Sequence, residues 1–122
     1  MEARDMELSK KALDDIFELS QQVARSQVTL TKAAESLNMS HGIKETSGRM
    51  TLSSVAHLLS GEVYKRALTI QIVEYLLSRV NEESGVSGLR KALVGLSAHI
   101  DYRNSGGVNV PGLQTILAKF SK

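Results

Sequence analysis

The chain has 122 residues, 42% of them hydrophobic and 23% charged, with a formal charge of +2 and no cysteine. That length suits one domain with a single core, and the missing thiols exclude disulfides, thiolate metal sites and cysteine nucleophiles. No apolar run approaches the roughly 18 residues of a membrane span, and the charged start MEARDMELSKK lacks the apolar centre of a signal peptide, so a cytoplasmic protein with no membrane contact is expected.

In chain order, the first expected element is an amphipathic helix over about 4–26. Leu13, Ile16, Phe17 and Val23, with Met6 ahead of them, line one side, while Lys10, Lys11, Asp14, Asp15 and Glu18 lie largely on the other. That apolar face is long enough to serve a partner helix as well as its own core, so Leu13, Ile16, Phe17 and Val23 are the candidate partner-binding residues. A β-branched and polar break at Ser26 to Thr29 separates this helix from a helical core over about 29–122.

Four later segments share a pattern of an apolar residue, then Thr or Asn, then apolar spacing at helical period: VTLTKAAESL from Val28, MTLSSVAHLL from Met50, LTIQIVEYLL from Leu68 and VNVPGLQTIL from Val108. Each reads as a capped helix start, with Thr29, Thr51, Thr69 or Asn109 accepting from a free N–H of the first turn. Pro111 fits a first turn, which tolerates a missing N–H. The segments have no fixed period, which disfavours a solenoid.

The densest apolar patterning lies between Thr51 and Val80. Leu52, Val55, Ala56, Leu59 and Val63 form one stripe that Gly61 bends or ends, and Ile70, Ile72, Val73, Leu76, Leu77 and Val80 make the next helix apolar around most of its girth, hence central. Further helices follow at Leu89 to Ile100 and Leu113 to Phe120. The segments 41–48, 81–88 and 103–107, rich in Gly, Ser and Asn, read as loops. With no strand signal, the expected fold is all-α, a compact orthogonal bundle of about five or six helices forming one domain over 1–122.

Chemistry-bearing patterns are sparse. His41, His57 and His99 have no metal spacing with one another or with a carboxylate, and His57 and His99 read as partly buried or cap-proximal. There is no Gly-x-Ser-x-Gly, and Asp14 with Asp15 and Glu82 with Glu83 are adjacent, solvated carboxylates. Neither enzymatic activity, nor a metal or cofactor, nor a small-molecule substrate is expected.

Three local resemblances add to this. Asp101 to Gly112 is similar to an EF-hand calcium loop at Asp101, Gly106 and Val108, but has Arg103 and Gly112 where that family places metal-binding oxygens. Gly88 to Leu96 resembles the arginine-bearing lid helix of clamp-loader-type ATPases, and Val108 to Leu117 resembles that lid's final helix. The likeness implies a phosphate-sensing Arg90, in a chain lacking the phosphate-binding Gly-x-x-x-x-Gly-Lys-Ser/Thr loop. Thr29 to Gly42 resembles the first helix and turn of helix-turn-helix DNA-binding regulators. Ala33 and Ala34 would permit close packing, Leu37 would anchor the core, and Met39 and Ser40 would match the turn and the start of the next helix. That resemblance implies a DNA-contacting set of Lys44, Thr46, Ser47 and Arg49, although Gly48 interrupts the segment that would carry it.

The leading expectation is a non-enzymatic helical interaction or regulatory module, a subunit or adaptor in a larger assembly that binds a protein partner or itself. The alternative is a helix-turn-helix transcriptional regulator using residues 29–50. Charge is uneven along the chain: residues 1–40 hold five Lys or Arg against seven Asp or Glu, net −2, and residues 41–122 hold ten against six, net +4. Such complementary ends favour self-association.

Overall fold

The computed structural model describes residues 8–121. Among them the fold is all-α, with five helices: α1 Lys10–Ala24, α2 Leu30–His41, α3 Glu45–Leu59, α4 Ile70–Ser105 and α5 Pro111–Phe120. The chain divides into two compact units, Met1–Ala56 and His57–Lys122. The expected helix start near Arg4, and Met6 with it, lie outside the described residues.

In the first unit α1 opens on Ser9, whose hydroxyl accepts from the Ala12 N–H. Its apolar residues Ala12, Leu13, Ile16 and Phe17 are buried, and α1 packs on α2. The break expected at Ser26 to Thr29 is present. Ser26 takes a left-handed φ of 60°, a conformation that ends a helix. Thr29 then caps α2 by accepting from the Lys32 N–H. Ala33, Ala34 and Leu37 are buried along α2, which closes on left-handed Gly42.

In the second unit Thr69 caps α4 by accepting from the Ile72 N–H. Ile72, Val73, Leu76, Leu77 and Val80 are buried along one face, whereas Ile70, which the sequence pattern included in an apolar girth, is exposed at the start of α4. Ala92, Leu96, His99 and Ile100 are buried further along α4, and Leu113 and Ile116 of α5, which packs against α4. Lys119 of α5 reaches Glu74 of α4 at 2.7 Å.

Several local expectations need correction. Residues 41–48 are not one loop, because α3 already begins at Glu45. An acidic side chain in a first turn suits the helix dipole, and the Gly48 N–H closes the turn on the Lys44 carbonyl. Thr51 therefore lies inside α3 and caps nothing. Asn109 is displaced by Val110, which occupies the cap position of α5 without a side-chain bond, while Pro111 takes the first turn as expected. Val63 is exposed beyond the end of α3, and Leu58 is buried instead.

Residues 81–88 also stay within a helical run. Arg79 and Glu83 pair at 3.0 Å one turn apart, which supports that turn, and the only non-helical backbone inside α4 is Gly85, at φ 66° and ψ −160°. Its two halves thus meet at a kink. At the far end α4 runs through Ser105, so only Gly106 and Gly107 of the expected 103–107 loop form the turn.

Candidate functional site

The proposed partner-binding residues of α1 do not form an accessible face. Leu13, Ile16 and Phe17 are buried and Val23 is half-buried, so a partner reaches the first three only if the fold opens. The polar side of α1 is tied down too. His41, in the last turn of α2, donates from Nε2 to Asp15 at 2.7 Å, and that bond holds the Asp15 carboxyl below its ordinary value against the opposing effect of burial, with the charge of Lys11 assisting.

The other candidate set falls on a helix-turn-helix, but with the turn displaced. α2 continues through Met39 and Ser40 to His41, and the connection is Gly42 to Lys44. Gly42 donates to the Asn38 carbonyl, and the Asn38 side-chain amide donates to the Ile43 carbonyl at 3.0 Å, which clamps the turn. Lys44 ends the connection, and Thr46 and Ser47 stand in the first turn of α3; all three are exposed, while Arg49 is half-buried.

The structure explains Gly48, which interrupted the apolar pattern. It is buried, and a methyl built there would stand 3.5 Å from the Ala34 methyl, so two small residues meet where α3 passes α2. Around this motif two long apolar side chains are left in water, Met39 at 86% exposure and Met50 at 38%.

The chemistry suggested by the other two resemblances finds no support in the geometry. Asp101 and Arg103 lie inside the last turns of α4 rather than in a loop, so Asp101 to Gly112 cannot wrap a cation as an EF-hand does. Arg90 is an exposed residue of α4. Among the described residues, no group of three or more His, Asp or Glu could hold a metal ion.

A polar cluster in the second unit escaped the sequence reading. Tyr64, in the non-helical stretch between α3 and α4, stacks on His99 of α4 with ring centres 4.0 Å apart and planes 5° from parallel. Both residues are buried, and His99 Nδ1 bonds to the Tyr64 backbone carbonyl. A carbonyl only accepts, so Nδ1 carries the proton and Nε2 of the neutral ring is a bare acceptor. Burial lowers the His99 pKa; the bond to Tyr64 opposes this and the Arg103 charge adds to it. Burial also raises the Tyr64 phenol above its ordinary value.

His99 Nε2, the Tyr64 hydroxyl and Arg103 Nε are all buried without a hydrogen-bond partner. Beside them Tyr102, Arg103, Ser105, Gly106 and Val108 line an open cleft of about 480 Å³. His57, by contrast, is exposed in the last turn of α3, with Nε2 3.8 Å from Glu62. The chain matches no known family, curated protein or solved structure.

Proposed function

We propose that this chain is a non-enzymatic helical interaction module, a subunit or adaptor that associates through the apolar side chains around its helix-turn-helix, with a second copy of itself as its partner. The observation that carries this reading is the exposure of Met39 at the end of α2, with Met50 emerging from α3 beyond the turn. Methionine is flexible and polarizable, suited to surfaces that cover apolar partners. The test is sedimentation over a range of concentration. Association that persists in high salt and disappears in a Met39→Glu, Met50→Glu double variant supports the reading, and a parent that stays monomeric throughout opposes it.

A second reading uses the same motif to bind duplex DNA, and one observation favours it. Lys44, just before α3, and Thr46 and Ser47 in its first turn are all exposed, with half-buried Arg49 following. Charge weighs on the other side, because residues 30–50 hold Lys32, Lys44 and Arg49 against Glu35 and Glu45. If this reading holds, duplex binding weakens steeply with salt, and replacing Lys44 and Arg49 by Ala flattens that slope by about 1 per lost phosphate contact. No binding by the parent at low salt, or an unchanged slope, removes it.

A further inference from the structure

The ten residues 60–69, between α3 and α4, follow α4 one turn at a time. A Cβ at Gly61 would stand 3.1 Å from the Lys91 carbonyl oxygen, and one at Gly95 would stand 2.7 Å from that of Leu58 and 3.2 Å from that of Glu62. Tyr64 then lies on His99, and the Lys65 ammonium is 5.9 Å from the centre of the Tyr102 ring. Leu68 is buried at the far end, just before the Thr69 cap. The segment is a strap seated on Lys91, Gly95, His99 and Tyr102.

We propose that His99 is the latch of this strap: its neutral ring holds residues 60–69 on α4, and protonation releases them. The neutral tautomer is set by the Nδ1 bond to the Tyr64 carbonyl, so an added proton must go to Nε2. That atom is buried with no acceptor within reach, and an uncompensated buried charge is costly. The groups facing the ring offer no relief. Tyr64 covers it from the strap, Tyr102 lies 6.4 Å away on α4, and Arg103 adds a like charge. The strap itself carries Glu62, Lys65 and Arg66: Lys65 sits over Tyr102, Glu62 is beside His57, and Arg66 is a cation like Arg103.

Lifting the strap separates Tyr64 from His99, so that Nε2 and the Tyr64 hydroxyl would then bond to water. The sign follows from linkage. The open strap leaves His99 with an ordinary value near 6.5, whereas the closed strap lowers it. The contribution of His99 to closure is therefore fully present above about pH 6.5. Below it, opening grows by up to about tenfold per pH unit until the closed-state value is passed.

Hydrogen exchange on the full chain tests this, comparing residues 60–69 with α5 at pH 7.5 and 5.5 after correction for intrinsic exchange. The expected result is opening of the strap up to about tenfold more frequent at pH 5.5, with α5 unchanged. The response should be retained in His57→Gln and absent in His99→Phe, which keeps an aromatic ring on Tyr64 but cannot titrate. A strap that ignores pH, one that opens only together with α5, or a response abolished by His57→Gln overturns the proposal. If His99→Phe does not fold, NMR titration of the His99 ring in the parent decides. Protonation below the ordinary histidine range, in step with strap opening, supports the latch, and ordinary titration overturns it.

Discussion

Single side chains show most directly what holds each unit. Leu76 is fully buried on the most apolar stretch of α4, so Leu76→Ala should cost about 2 to 5 kcal/mol, the range for truncating a buried leucine. Chemical denaturation measures this, and a variant as stable as the parent would show that α4 is not central. Gly95 makes the opposite case. Alanine normally favours a helix over glycine by up to about 1 kcal/mol, but a Cβ here would stand 2.7 Å from a backbone oxygen of Leu58. Gly95→Ala should therefore destabilise, by a net 1 kcal/mol or more on the scale of overpacking; a stabilised variant would show that the backbones can move apart at no cost. Neither the role of Gly95 nor that of Gly48 was legible in the sequence, because close approach of two backbones leaves no pattern in either strand of sequence alone. The Tyr64 and His99 stack was hidden for the same reason, its partners being thirty-five positions apart.

At the level of elements, the apolar period carried most of the information. It placed apolar helical spacing in each of the five helices, with α4 read as two, and the reading failed where composition stood in for backbone accounting. Gly and Ser suggested loops at 41–48 and 81–88, yet Glu45 begins a helix and the Arg79 to Glu83 pair helps another continue to its kink at Gly85. The repeated apolar-Thr pattern marked real caps at Thr29 and Thr69 but not at Thr51, where α3 has already begun. Thermal denaturation separates these cases. Thr29→Ala and Thr69→Ala should each cost about 1 kcal/mol, whereas Thr51→Ala should stay within about 0.5 kcal/mol of the parent. Equal losses at all three would contradict the assignment. The candidate partner face of α1 makes a related point: an amphipathic stripe shows that a face is covered, not what covers it. Leu13, Ile16 and Phe17 are buried in the folded chain itself.

For the molecule as a whole, the proposed self-association would draw on the uneven charge read from the sequence, net −2 over 1–40 and +4 over 41–122. It would also draw on the exposed methionines, and the two contributions differ in salt sensitivity. Charge attraction fades as the screening length falls from about 10 Å at 0.1 M salt to about 3 Å at 1 M, whereas apolar contact does not. Sedimentation velocity of the full chain at 0.1 M and 1 M salt, beside the Met39→Glu, Met50→Glu variant, is thus the most direct measurement. The proposed module predicts a reversible dimer of the parent at both salt concentrations and a folded monomer of the variant. A parent that is monomeric at every concentration, or a dimer that the two substitutions leave intact, would contradict it.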